Sequence, residues 1–266
     1  MAETQTFAVT GVATGIGAEL CRILKEGGHR VIGLDVKETA ENIDRFIQID
    51  LNDPDSITAA ANALDEPIDG LCNNAGVSPI EGRETLILQV NFLGQRDFTE
   101  QVLPRIKPGG AIVNMASRAG HGWMENLEQV KRLAALTSKG DLPAFAKDEN
   151  INATRAYNLT KEAILLWTMS ITEPLFARDL RAVSLSPGGI STGLLDDFRR
   201  AFGDAVEKNT QRAGRPGQPA EVAEIAAFAL SRQAYWLKGT DIPIDGGIGA
   251  FNMTDRLGLS VLNTGI

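Results

Sequence analysis

Short apolar runs and amphipathic stretches alternate along this chain. Strands are expected at Phe7–Thr10, Val31–Asp35, Phe46–Asp50, Ile68–Asn73, Ala111–Met115, Ala182–Leu185 and Asp241–Ile244. Each is a compact run of aliphatic or β-branched residues, too short for a helix. Between them, apolar positions recur at helical spacing near Ile16–Lys25, Pro54–Leu64, Leu88–Leu103, Tyr157–Phe176 and Ala220–Leu230. Asp53-Pro54 and Pro219 supply start signals, because proline fits the first helical turn, where its missing N–H is not needed. Such an alternation builds a parallel sheet covered by helices on both faces. No linker, repeat or low-complexity tract interrupts it, so residues 1–266 read as one doubly wound α/β domain.

The first strand runs straight into Gly11-Val12-Ala13-Thr14-Gly15-Ile16-Gly17, where a helical pattern begins. Strand, glycine turn and helix N-terminus together form an anion site, with backbone N–H groups and the helix dipole facing the same point. Gly11 lets the chain leave the strand; Gly15 and Gly17 carry no Cβ to block a pyrophosphate or a packed helix. Ala13, Thr14 and Ile16 complete the turn. Asp35, with Val36 after it, closes the second strand. Its carboxylate is suited to ribose hydroxyls and would repel a 2′-phosphate, which favours NAD over NADP. Lys37 nearby leaves that preference open.

In doubly wound sheets the ligand lies beyond the carboxyl ends of the strands. The other residues expected there are Asp50 and Leu51 for adenine, Asn74, Ala75 and Gly76 beside the cofactor, Ala116-Ser117, and Pro187, Gly188 and Gly189. Tyr157 and Lys161 fall four apart on a helical pattern, one turn from each other. A phenol titrates near ~10, too high for a base at neutral pH. An ammonium about 4 Å away contributes roughly 4 kcal/mol at an effective dielectric of ~20, so Lys161 is expected to lower Tyr157 before burial acts. Ser117 ends an apolar strand where its hydroxyl can hold a substrate oxygen. Asn91 sits inside a helical pattern, where an amide either disturbs the helix to open a proton path or forms an ordinary buried hydrogen bond. His121 reads as a surface-loop residue rather than a substrate contact.

Composition narrows the field. The chain has 266 residues and a formal charge of −8, with no basic stripe of the kind nucleic acid requires. No apolar run approaches the roughly 18 residues needed to span a bilayer. The N-terminus lacks the basic and apolar regions of a secretion signal. A cytoplasmic protein acting on a small molecule, without membrane or nucleic-acid partners, is the expectation. Cys21 and Cys72 fall in core-like positions, and no Cys/His cluster suggests a metal.

The motifs taken in order resemble the short-chain dehydrogenase/reductase family across nearly the whole chain. They are Thr10-Gly-x-x-x-Gly-Ile-Gly17, Asn73-Asn-Ala-Gly76, Asn91, Ser117, Tyr157-x-x-x-Lys161, Pro187-Gly188 with Thr192, and Asp245-Gly-Gly247. The resemblance implies a Rossmann-like, seven-stranded parallel sheet in order 3-2-1-4-5-6-7 within an αβα sandwich. It also implies hydride transfer between NAD(H) and an alcohol/carbonyl pair. Tyr157 would be the acid/base and Lys161 its partner, which also binds the nicotinamide ribose. Ser117 would orient the substrate oxygen and Asn91 would complete a proton relay. Pro187, Gly188, Gly189, Ile190 and Thr192 would carry the nicotinamide carboxamide contacts.

One departure from the family stands out. Ser117 and Tyr157 are 40 positions apart (157 minus 117), far more than the family's usual short connection. A comparable insertion, here about residues 121–152 with a helix near Leu127–Leu136, occurs in the bacterial 3α-hydroxysteroid dehydrogenase/carbonyl reductase group and in coniferyl-alcohol dehydrogenases. Asp69-Gly-Leu-Cys-Asn73 and Lys161-Glu-Ala-Ile-Leu-Leu-Trp167 look closest to the latter. Both groups act on apolar, ring-bearing alcohols. The insertion adjoins a helix that family members often use for subunit packing, so the expected homo-oligomer is a dimer or a tetramer. The substrate wall is expected from the insertion, from Trp123 and Met124, and from Leu194, Leu195, Phe198 and Phe202 in a lid-like segment, 191–215. The tail, Gly249–Ile266, is a candidate cover for a neighbouring subunit. Two alternatives stay open: an NAD(H)-binding sensor without turnover, and an epimerase or dehydratase working through transient hydride transfer.

Overall fold

The computed structural model describes residues 3–262. Strands β1 (Thr6–Thr10), β2 (Arg30–Asp35), β3 (Arg45–Gln48), β4 (Ile68–Asn73), β5 (Ile106–Met115), β6 (Arg181–Pro187) and β7 (Asp241–Ile244) form one sheet. All pairs are parallel, in the order β3-β2-β1-β4-β5-β6-β7. This is the Rossmann-like α/β sandwich, and the strand order, that the family resemblance implies.

Twelve α-helices flank the sheet among the described residues. They are α1 (Gly15–Glu26), α2 (Pro54–Ala63), α3 (Glu84–Leu88), α4 (Gly94–Val102), α5 (Leu127–Ala134), α6 (Leu142–Asp148), α7 (Ala153–Ser170), α8 (Thr172–Phe176), α9 (Leu195–Phe202), α10 (Asp204–Ala213), α11 (Pro219–Leu230) and α12 (Ile248–Leu257).

Strand alternation decides which layer each side chain enters. Phe7, Val9, Val31, Cys72, Val113 and Leu185 point into the layer shared with Leu20 of α1 and Val222 of α11. Their neighbours Ala8, Ile32, Leu71, Ile112 and Ala182 point the opposite way, onto Ile57 of α2 and Phe98 of α4. Because both faces are covered, the strands read as continuous apolar runs rather than as an alternation. Each large side chain fully buried in this way contributes about 1.5–3 kcal/mol.

Several boundaries differ from expectation, each with a local cause. β3 stops at Gln48 instead of reaching Asp50, because the chain turns there. Asp50 accepts the Asn52 N–H (2.8 Å), and its own N–H donates to the Ser56 hydroxyl (2.9 Å). The single helix expected over Leu88–Leu103 is α3 and α4 joined by a π-helical turn, Gln89–Leu93. The helix expected from Tyr157 begins four residues earlier, where the Asn152 side chain caps it by accepting the Arg155 N–H (2.8 Å). It then breaks into α7 and α8.

Candidate active site

A cavity of about 930 Å³ opens at the carboxyl edge of the sheet. Gly11, Ala13, Thr14, Gly15 and Ile16 form its floor. Gly11 sits at φ +73°, and a Cβ there would lie 2.8 Å from the Ala75 Cα. Gly17 does not reach the cavity. It lets α1 close onto the turn, since a Cβ would stand 2.0 Å from the Gly11 carbonyl oxygen. Asn74 clamps the same turn: its Nδ2 donates to the carbonyls of Thr10 and Gly11, both at 3.1 Å. The Thr10 hydroxyl accepts the N–H groups of Asn74 and Ala75, both at 3.0 Å. No side chain caps α1 and no acidic residue occupies its first turn. Its leading N–H groups are therefore left for an anion.

At one end, Asp35 accepts the Ala13 N–H (3.0 Å) and the Lys37 N–H (3.0 Å), so the carboxylate is held at the rim of the turn. Val36, Asp50 and Leu51 line the cavity beside it, and Asn74, Ala75 and Gly76 its middle. Two glutamines that sequence reasoning passed over fix these walls. Gln89 donates to the Leu51 carbonyl (3.1 Å), and Gln95 to the Ala75 carbonyl (2.6 Å). Both are fully buried, and their only sequence signal was a polar side chain on an otherwise apolar helix face.

At the other end Ser117, Tyr157 and Lys161 meet, with Pro187, Gly188, Gly189, Ile190 and Thr192 along one side. Register explains the meeting. β5 delivers Ser117 just past its end, and α7 presents Tyr157 and Lys161 one turn apart over it. Lys161 Nζ donates to the Met115 carbonyl (2.8 Å) and stands 5.6 Å from the Tyr157 ring centroid. Phe198 packs edge-on against Tyr157 at 5.1 Å, and Phe202 at 6.3 Å.

This packing corrects the electrostatic expectation. Burial pushes the Tyr157 phenol up to about 12, with a hydrogen bond to Ser117 pulling the other way. Burial likewise pushes the Lys161 ammonium down to about 7. Around these two buried groups desolvation is the larger influence, and the attraction that the one-turn spacing suggested does not offset it. Burial therefore favours the protonated form of the Tyr157 phenol.

Asn91 is buried and does not line the cavity. Its Oδ1 accepts the Val77 N–H (2.7 Å) and its Nδ2 donates to the Val77 carbonyl (3.0 Å). The side chain braces the loop after β4, from within the π-helical turn. His121 is half-buried rather than a free surface residue. Arg118 Nη1 donates to its Nδ1 (2.8 Å), so its Nε2–H is the group facing Asp241 (3.1 Å). Arg118 also pairs with Asp245 at 3.0 Å. Both line the cavity, as do Ile248 and Asn252 of α12; of these four only Asp245 had a sequence signal, within the Asp245-Gly-Gly247 motif.

The insertion forms no part of the cavity wall. Val130, Leu133, Leu142 and Ile151 pack instead with α3 and α7, and Trp123 joins that cluster. Met124 points to solvent, 72% exposed. The reason is amphipathicity: the insertion's apolar stripe finds the outer face of α7 before it can reach the pocket. Glu162, almost wholly buried on α7, receives Arg155 at 2.6 Å and Asn126 at 3.0 Å, which ties the two together. The lid residues Leu194, Leu195, Phe198 and Phe202 do line the cavity. The tail turns back on its own chain. Arg212 of α10 pairs with Asp255 of α12 (2.7 Å) and lies 5.0 Å from the Phe251 ring centroid. Residues 263–266 of the tail lie outside the described residues.

Comparison with known proteins agrees with this geometry. A family model described as "short chain dehydrogenase" matches residues 5–128. A second, described as "Enoyl-(Acyl carrier protein) reductase", matches residues 142–249. The chain is 37% identical over 246 residues to coniferyl-alcohol dehydrogenase of Pseudomonas sp. (strain HR199 / DSM 7063), covering 92% of this chain and 96% of that one. It is 25% identical over 255 residues to 3-alpha-hydroxysteroid dehydrogenase/carbonyl reductase of Comamonas testosteroni, covering 92% and 96%. Among solved structures, 3-alpha-hydroxysteroid dehydrogenase from Pseudomonas sp. B-0831 complexed with NADH superposes with a TM-score of 0.82 at 28% identity, covering 93% of this chain and 98% of that one.

Proposed function

Because the chain belongs to the short-chain dehydrogenase/reductase family, we propose that it is an NAD-dependent alcohol dehydrogenase for an apolar, ring-bearing alcohol and its carbonyl partner. An aromatic alcohol of the coniferyl type is the first candidate, given the 37% identity to coniferyl-alcohol dehydrogenase. A hydroxysteroid is the second, given the resemblance to the 3-alpha-hydroxysteroid enzymes. One observation carries the reading: Ser117, Tyr157 and Lys161 converge at one end of a cavity whose floor is an uncapped helix N-terminus and whose other end is Asp35.

The residues fit a nicotinamide dinucleotide. The free N–H groups of α1 would take the pyrophosphate, and Asp35 the adenosine ribose hydroxyls, at a place where a 2′-phosphate would meet a carboxylate. Asp50, Leu51 and Val36 would flank adenine. Ala75, Gly76 and Pro187 to Thr192 would line the nicotinamide end. The nicotinamide supplies the hydride acceptor for alcohol oxidation, or the donor for carbonyl reduction.

The chain's own residues handle the proton. Ser117 Oγ donates to the substrate oxygen and holds it beside Tyr157 Oη. In oxidation Tyr157 Oη takes the hydroxyl proton; in reduction it returns it. Lys161, fixed by the Met115 carbonyl, would bind the nicotinamide ribose and oppose the burial that keeps the phenol protonated. Asn91 acts through the loop it braces.

The insertion already fills the outer face of α7, so a homo-oligomer that pairs α7 with its copy is blocked and a dimer through another face is favoured. The direct test of function is NADH formation from aromatic alcohols and hydroxysteroids, with NAD and NADP compared. Activity with NAD that falls roughly 100-fold or more in Tyr157→Phe is the expected result. Unchanged turnover in that variant would sink the mechanism, and a clear NADP advantage would sink the role of Asp35.

A further inference from the structure

Two walls run outward from the reacting hydroxyls. From Tyr157 the wall continues through Phe198 and Phe202, whose rings stack at 6.2 Å and 25°, to Val206 of α10. From Ser117 it passes Arg118, which abuts the start of α12 at Gly249, and reaches Ile248. Each wall then ends in a carboxamide. Asn209 lies on the cavity-facing side of α10, one turn past Val206, and Asn252 lies one turn past Ile248. Arg212 brings the two helices together: it pairs with Asp255 and donates to Asn252 Oδ1 (3.4 Å). That contact leaves the Asn252 Nδ2 donors free, while Asn209 makes no side-chain hydrogen bond among the described residues.

From this arrangement we propose that Asn209 and Asn252 form a polar subsite at the outer end of the substrate cavity. The subsite reads a hydrogen-bonding substituent, such as a phenol or a ring hydroxyl, on the far side of a flat apolar ring from the reacting alcohol. The stacked Phe198 and Phe202 rings take the planar body, and the two carboxamides, which both donate and accept, take the distal oxygen. The inference deepens the alcohol-dehydrogenase reading and rests on it.

The test compares 4-hydroxycinnamyl alcohol with cinnamyl alcohol as substrates, using NAD. The readout is the ratio of their kcat/KM values, in which any general loss of activity cancels. Both carboxamides stand exposed at the mouth of the cavity, where water pairs them when no hydroxyl does, so the wild type is expected to favour the hydroxylated alcohol about fivefold, mainly through KM. Asn209→Leu and Asn252→Leu, with the alanine variants in parallel, should bring the ratio to within about twofold of unity. Turnover of both alcohols without preference, or a preference that survives in the variants, overturns the subsite alone. Absence of NADH from both alcohols while a hydroxysteroid is oxidised also overturns the subsite alone; absence of NADH from all three overturns the enzyme reading together with it.

Discussion

At the scale of single residues, the chemistry turns on a contest between charge and burial. Lys161 is buried beside Tyr157, and burial holds it near 7 against an ordinary 10.5. Between those values the unfolded chain binds one proton more than the folded one, so unfolding free energy rises with pH across that window. Below about 7 the full cost of charging the buried amine remains. At about 1.36 kcal/mol per unit, the effect is on the order of 5 kcal/mol. Lys161→Met should therefore be the more stable protein at pH 7, with an advantage that shrinks toward pH 10. Urea midpoints measured at the two pH values decide it; a pH-independent difference would show that the ammonium is not buried as described. The same site predicts that alcohol oxidation accelerates toward alkaline pH, since it needs the Tyr157 proton gone, while carbonyl reduction slows.

The elements explain how such residues are held in register. α1 can approach β1 and the Asn74 loop only because Gly17 has no side chain. Gly17→Ala is expected to cost about 3 kcal/mol through overpacking and to weaken dinucleotide binding, whereas Gly189→Ala, with open space around its missing Cβ, should fold normally. Equal thermal stability of the two variants would contradict the packing described. Helix α7 has a second anchor in the Arg155–Glu162–Asn126 cluster. Glu162→Gln removes a buried partner from Arg155 and should destabilise the protein by about 3 kcal/mol, read from urea unfolding. A loss within about 0.5 kcal/mol, the range of an ordinary surface substitution, would mean the insertion is not fastened there.

At the scale of the whole molecule, the insertion and the tail change what the fold presents to its surroundings. The insertion covers α7 in cis, and α12 is tied to the lid helix α10 through Arg212. Light scattering should therefore give a mass near twice the 28.5 kDa of one chain. A mass near four times that value would require the α7 face, or an unexpected one, to pair as well. The surface patch used in a dimer would then be sought away from the insertion.

Much of this was written in local patterns. Strand length, helical spacing and glycine placement are set by residues close together in the chain, so a parallel sheet with helices on both faces could be read from them; the strand order and the meeting of Ser117, Tyr157 and Lys161 followed from the family resemblance. What lay beyond reach depended on contacts between distant segments. The insertion's apolar stripe has two surfaces it could have joined, and only packing selected α7 over the pocket. The Tyr157 phenol felt two opposing influences, and its burial in the assembled fold made desolvation the stronger. Arg118 and Asn252 carry no periodicity that marks them as lining a cavity; Arg118 lies there because it follows the end of β5 and pairs with Asp245, and Asn252 because α12 returns onto the lid. Residue identity determined which chemistry was available, and long-range packing decided the environment in which it operates, because solvent exclusion is a property of the assembled fold and not of any one stretch of chain.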